Sequence, residues 1–144
     1  MPRKILVIED DAELSRALEI RLRAAGYEPS LASDGFEGLW VAHLKKPDVI
    51  LLDIMLPGMD GFEVKRRLTA TPELSDVPVV FLTSDTREET RMKTRAVGGM
   101  CLLSKPYDAD LLLAVIETAG SNVKRNRPKR NRKRSRAVAE LSRA

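Results

Sequence analysis

The chain has 144 residues, 43% hydrophobic and 32% charged, with a formal net charge of +4 and one cysteine, Cys101. That suits one soluble domain with an appendage, and it excludes an internal disulfide framework, as expected of a protein in a reducing cytoplasm. Only four apolar residues, Ile5–Ile8, follow Met1-Pro2-Arg3-Lys4, too few for a secretory signal or a membrane span.

The net charge hides a partition. Residues 1–121 carry 15 Lys/Arg against 20 Asp/Glu, a net of −5, and residues 122–144 carry 10 Lys/Arg against Glu140, a net of +9. An acidic folded domain, 1–121, with a basic tail, 122–144, is expected.

Along the chain, Ile5–Ile8 reads as a first strand. Leu14, Leu18 and Leu22 then recur every four residues, a helix that Gly26 stops. A weaker strand falls at Glu28–Ala32. A second helix over roughly Gly35–Lys46 has Asp34 as N-cap and Phe36, Leu39, Trp40, His43 and Leu44 at helical spacing. The spacing gives Trp40 and the leucines core or helix-face packing, and predicts a partly buried structural role for His43 among them. Val49–Leu52 is a strand buried on both faces, ended by Asp53 and a Pro57-Gly58 turn. A short helix spans about Phe62–Thr69, followed by a loop between Pro72 and Pro78. Val79–Leu82 is the fourth strand, Arg87–Val97 a polar helix ending at Gly98-Gly99, and Cys101–Leu103 the fifth strand. Ala109–Thr118 is the last helix, with Asp108 at its start. Five strand–helix alternations imply parallel crossovers. The expected architecture is a flavodoxin-like doubly wound (βα)5 three-layer sandwich, parallel sheet order 2-1-3-4-5.

In such a sheet the strands' carboxyl ends share one edge. Here they deliver Glu9-Asp10-Asp11, Asp53, Thr83-Ser84 and Ser104-Lys105-Pro106. One lysine does not neutralise three carboxylates, so either a carboxyl pKa rises or a cation binds. Hard oxygen ligands suit Mg²⁺, and a carboxylate beside Mg²⁺ is a competent phosphoryl acceptor. Lys105 and Thr83 are placed to supply charge and a hydrogen bond to the transferred group.

These motifs, in this order and spacing, resemble the receiver domain of two-component response regulators over residues 1–121. The matching segments are Ile5–Asp11, Leu52–Gly61, Leu82-Thr83-Ser84 and Ser104-Lys105-Pro106. The resemblance implies that Asp53 accepts a phosphoryl group from a sensor histidine kinase or histidine phosphotransferase. It implies that Glu9, Asp10 and Asp53, with the Met55 carbonyl, hold Mg²⁺. Thr83 is then the switch hydroxyl, Lys105 pairs with the phosphoryl group, and the Lys105–Pro106 bond is cis. A downstream protein is expected on the face spanning the fourth helix, fifth strand and fifth helix. Three further positions stand out: Met55 two residues past the acceptor and Asp85 two past the hydroxyl, both outside the family's core set, and Leu102 where most receivers carry Tyr or Phe. The first two are expected to tune the lifetime of the phosphoryl group. Leu102 offers neither ring nor hydroxyl to report the switch.

Blander roles stand beside these. Asp10 and Asp11 suit a helix N-terminus, Cys101 reads as a small core residue, and Ser84 satisfies a size requirement whether or not its hydroxyl acts. The fourth helix is read either as a solvated face or as a partner-selecting one.

The tail holds Lys124, Arg125, Arg127, Lys129, Arg130, Arg132, Lys133, Arg134 and Arg136, nine cations in thirteen residues. Disorder in isolation is expected, and 23 residues are too few for a helix-turn-helix output domain. Contact with nucleic-acid phosphates, contact with an acidic protein or anionic surface, and fold-back on the acidic domain all remain open. The reading of the whole is a single-domain response regulator that catalyses only its own phosphorylation and dephosphorylation. The alternatives are a constitutive receiver-like interaction module and a nucleic-acid-associated regulator acting through the tail. A dehalogenase-like phosphatase would need a second aspartate where Met55 stands.

Overall fold

The computed structural model describes residues 3–121. Five parallel strands, β1 (Lys4–Ile8), β2 (Glu28–Ala32), β3 (Val49–Asp53), β4 (Val79–Thr83) and β5 (Cys101–Ser104), form one sheet in the order β2-β1-β3-β4-β5. Helices α1 (Ala12–Ala24), α2 (Gly35–Lys45), α3 (Gly61–Thr69) and α4 (Glu88–Ala96) connect them, and residues 109–121 form a fifth helix, α5. The basic segment 122–144 lies outside the described residues. No helix among the described residues is long and apolar enough to cross a membrane.

The unbroken apolar strands follow from this layering. Ile5, Val7, Val49, Leu51, Val80 and Leu82 point to a core shared with Leu18 and Leu22 of α1 and Leu112 and Ile116 of α5. Leu6, Ile8, Ile50, Leu52, Val79 and Phe81 point to the other core, under Ala42 of α2 and Val64 and Leu68 of α3. Period-2 alternation serves both faces, so no polar residue fits until the strand ends.

Helix ends follow local chemistry. Asp11 accepts from the Glu13 and Leu14 amides at 3.0 and 3.2 Å, and Asp34, Asp60 and Asp108 cap α2, α3 and α5 in the same way, each worth about 1 kcal/mol. Gly26, at φ +90°, ends α1: its own N–H reaches the Arg23 carbonyl, and the Tyr27 N–H the Leu22 carbonyl, both at 3.0 Å.

α2 departs from expectation. Its buried residues are Gly35, Gly38 and Ala42, whereas Phe36, Trp40 and Leu44 are 60%, 64% and 58% exposed and His43 is exposed as well. The helix lies too close to the sheet for large side chains: a Cβ on Gly38 would meet Ile8 Cδ1 at 2.5 Å. Smaller differences fall at element ends. α3 begins at Gly61, α4 spans Glu88–Ala96, and β5 includes Ser104. Cys101 is half-buried against the α1/α5 core.

Candidate functional site: a carboxylate–lysine cluster at the sheet edge

Strand ends β1, β3, β4 and β5 converge at the carboxyl edge. Glu9 follows β1 and is buried, and Asp53 closes β3 with 4% exposure. Asp10 stays exposed beside them. One carboxylate oxygen from each of Glu9, Asp10 and Asp53 lies within 4.8 Å of the other two. Asp11, next in sequence, caps α1, so capping and clustering fall to different aspartates.

Lys105, just past β5, reaches over this group. Its ammonium donates to Asp53 Oδ2 at 3.1 Å and to Glu9 Oε1. Burial works against its charge, but the hydrogen bonds and charges of Glu9 and Asp53 outweigh that and raise its pKa. Desolvation, then the hydrogen bond and charge of Glu9, pushes the Asp10 carboxyl up. Three carboxylates against one ammonium leave the site electron-rich at its exposed Asp10 side, which suits a hard cation. The Lys105–Pro106 bond is cis.

The loop after β3 is folded around the Asp53 carboxylate. The Met55 amide donates to Asp53 Oδ1 at 3.0 Å, while the Met55 side chain is 67% exposed. The Gly61 amide bonds the Ile54 carbonyl at 2.8 Å. A Cβ on Gly61 would come within 2.5 Å of the Asp53 carbonyl oxygen and 2.8 Å of Ile54 Cα. Glycine at the first position of α3 therefore lets that helix start directly on the loop that follows Asp53.

Thr83, fully buried, ends β4. Its hydroxyl accepts from the Asp85 amide at 3.0 Å. The Asp85 carboxylate is held in a clamp at the start of α4. Arg87 grips it through Nε at 2.9 Å and Nη2 at 2.8 Å, its backbone N–H adds a bond at 3.1 Å, and the Thr90 hydroxyl donates at 2.7 Å. Arg87 and then Thr90 hold that carboxyl well below the usual carboxylate range. Arg87 itself supplies no side-chain cap to α4, so Asp85 organises that helix start. A cleft of about 530 Å³ opens between this clamp and the β3–α3 loop, with Asp10, Met55, Asp85 and Arg87 among its walls. Ser84 is exposed beside Thr83.

Leu102 is half-buried and packs against the core under α2 and α3, opposite Phe81 in the β4–β5 register. Sequence reasoning thus named every side chain in the cluster but gave no individual role to Arg87, Thr90 or Gly61, although Gly61 closes one of the matching segments. An Asp-x-Arg spacing at 85 and 87, with a threonine five residues on, was the available signal for the clamp.

Comparison with known proteins agrees with this geometry. Residues 5–117 match the family profile described as "Response regulator receiver domain". The chain is 40% identical over 114 residues to the DNA-binding dual master transcriptional regulator RpaA of Synechocystis, covering 79% of this chain but 47% of that protein. It is 34% identical over 113 residues to Protein PilH of Pseudomonas aeruginosa, covering 78% of this chain and 93% of that one. It thus spans about half of the first relative and nearly all of the second. Among solved structures, the receiver domain of the sensor histidine kinase PA1611 from Pseudomonas aeruginosa, with a magnesium ion coordinated in its active site cleft, superposes with a TM-score of 0.78. That match is at 27% identity and covers 84% of this chain and 99% of that domain. The chain belongs to the response-regulator receiver domain family of two-component systems.

Proposed function

We propose that Asp53 is the phosphoacceptor of this receiver, charged by a histidine kinase or histidine phosphotransferase. The observation that carries the reading is the buried Asp53 carboxylate with the Lys105 ammonium at 3.1 Å and two further carboxylates alongside. In the transfer, an Asp53 carboxylate oxygen forms a bond to phosphorus as the phosphorus–nitrogen bond of the donor's phosphohistidine breaks. The imidazole nitrogen keeps the electron pair and takes up a proton. Lys105 is placed to pair with an equatorial phosphoryl oxygen, and the Thr83 hydroxyl, which now accepts from Asp85, retains a hydrogen to donate to another.

Glu9, Asp10 and Asp53 would hold Mg²⁺, with the Met55 carbonyl as a further ligand, and the donor set of clustered carboxylate oxygens fits that ion. When bound, Mg²⁺ supplies positive charge against the phosphoryl oxygens. Catalysis on this reading is confined to the protein's own phosphorylation and hydrolysis, within a cytoplasmic signalling step.

The output runs through contacts. Thr83 moving toward a phosphoryl oxygen strains its bond from the Asp85 amide, and through Asp85 it disturbs the Arg87–Thr90 clamp that starts α4. Leu102 offers no polar group to that movement, so the β4–α4 loop carries the readout. The surface of α4, β5 and α5 is the docking face for a downstream protein. Residues 1–121 act as the receiver unit. The +9 segment 122–144 is assigned to phosphates of nucleic acid or to an acidic partner, and its charge imbalance is what favours this.

The test uses the whole chain with acetyl phosphate, with and without Mg²⁺. A mass increment of one phosphoryl group is expected only with Mg²⁺ and is absent in Asp53→Asn. Beryllofluoride should perturb amides at Thr83, Asp85 and Thr90. No increment and no perturbation in the unmodified protein would replace this reading with the constitutive interaction module. For the tail, the whole chain should retard a short DNA duplex at low salt and lose this on removal of residues 122–144; equal retardation by both overturns that assignment.

A further inference from the structure

Helix α2 is mounted with its bulky side chains outward. Gly35, Gly38 and Ala42 form its buried side, Gly38 against Ile8 of the sheet and Gly35 against Val64 of α3 and Met59, while Phe36, Trp40 and Leu44, spaced i, i+4 and i+8, are each more than half exposed. At 100° per residue that row centres on the side of the helix opposite the Gly/Ala row. It is an i±4n ridge, the surface one helix offers to another. The ridge runs on to the β3–α3 loop, since a Cβ on Gly58 would lie 3.5 Å from Phe36 Cε2. Three such side chains leave on the order of 300–400 Å² of apolar surface in water.

We propose that this ridge is a self-association surface, in which α2 of one copy packs antiparallel on α2 of a second copy about a two-fold axis at Trp40. The row is symmetric about Trp40, as an isologous contact requires. The axis sets Trp40 against Trp40 of the second copy, and Phe36 against Leu44 of the second copy. Charge selects the same arrangement. Asp34 and Glu37 stand at the beginning of α2, and His43 and Lys45 in its last turn. Antiparallel packing lays the acidic end of each helix beside the basic end of the other and opposes the two helix dipoles favourably, whereas parallel packing would align like charges. The area sets the strength. Two ridges together fall below the roughly 1,200 Å² of stable complexes, so the dimer is weak and exchanges with monomer.

Trp40 is the chain's one tryptophan, so its emission reads the ridge directly. The whole chain is followed by sedimentation and fluorescence from low micromolar to several hundred micromolar. The expected result is a rise from one-chain to two-chain mass accompanied by a blue shift of Trp40 emission. Phe36→Glu and Leu44→Glu should each weaken association at least tenfold and keep the emission red, with far-UV dichroism unchanged because both positions are exposed. Glu37→Lys should weaken it less. One-chain mass with red emission at every concentration overturns the proposal. So does blue emission at one-chain mass, which would mean that another part of the chain covers the ridge. Association unaffected by both ridge variants places the contact on a different face and overturns it equally.

Discussion

The Lys105 ammonium reaches Asp53 Oδ2 at 3.1 Å from two strands away, since β4 stands between β3 and β5. It is also the cation bonded to the buried Glu9. Removing it leaves two buried carboxylates facing each other without compensation, a loss with a cost of about 2–3 kcal/mol given that Lys105 is partly exposed. Lys105→Met should lower the melting temperature by about 10 °C in Mg²⁺-free buffer. Because the vacated charge is one that a cation can replace, Mg²⁺ should stabilise the variant more than the parent. Melts in EDTA and in Mg²⁺ decide it, and an equal Mg²⁺ increment in both proteins would contradict the account.

Asp85 joins the Thr83 hydroxyl, through its amide, to the first turn of α4, through its carboxylate. Asp85→Ala keeps the amide and removes the clamp. The cost should be about 1 kcal/mol, comparable to loss of a helix cap, and confined to α4. Amide exchange should accelerate at residues 87–91, while Asp53 remains competent to take a phosphoryl group. Unchanged exchange there would mean that α4 starts without this carboxylate.

Gly61→Ala is expected to be the more damaging of two glycine changes. Its Cβ would press on backbone, the Asp53 carbonyl and Ile54 Cα, whereas the Cβ of Gly38→Ala would press on the side chain of Ile8. A side chain yields more readily than a strand's backbone, so Gly38→Ala should cost about 1–3 kcal/mol and Gly61→Ala more. Only Gly61→Ala should also slow labelling by acetyl phosphate, because relief requires moving the loop that holds Asp53. Denaturant melts and a labelling time course on both variants separate these outcomes.

Most of this organisation is legible in the chain because the strands are buried on both faces. Such strands tolerate polar atoms only at their ends, so Asp53, Thr83 and Lys105 announce the edge where they meet. α2 is misleading for a physical reason. Periodicity shows that Phe36, Trp40 and Leu44 share a face, but not whether that face meets the sheet; close approach at Gly38 decides it, and that is a tertiary fact. Clamp residues Arg87 and Thr90 were hidden within a helix that reads as merely polar. Lys65 escaped notice similarly, although it lies one turn from Gly61 and Thr69 on the face that also buries Leu68.

Lys65 is 6% exposed, and its ammonium donates to the Thr69 hydroxyl at 2.9 Å. It ends near the α4–β5 turn, where a Cβ on Gly98 would sit 3.7 Å from Nζ. Burial lowers its pKa below the ordinary 10.5. A lysine whose folded pKa is depressed penalises the fold while it is charged, so the penalty is present below the folded pKa. It is relieved as pH rises from there toward 10.5. Stability should therefore increase with pH across that window until tyrosine ionisation begins in the unfolded chain, where Tyr27, raised to about 12 in the fold, starts to act in the opposite direction. Lys65→Met removes the charged group while keeping an unbranched stem. It should raise the melting temperature by about 3 °C at pH 7, on the order of 1 kcal/mol, and abolish the lysine's share of the alkaline gain. Melts of both proteins from pH 7 to the onset of tyrosine ionisation check this. Parallel curves, offset by a constant amount, would show that Lys65 carries its charge in the fold without penalty.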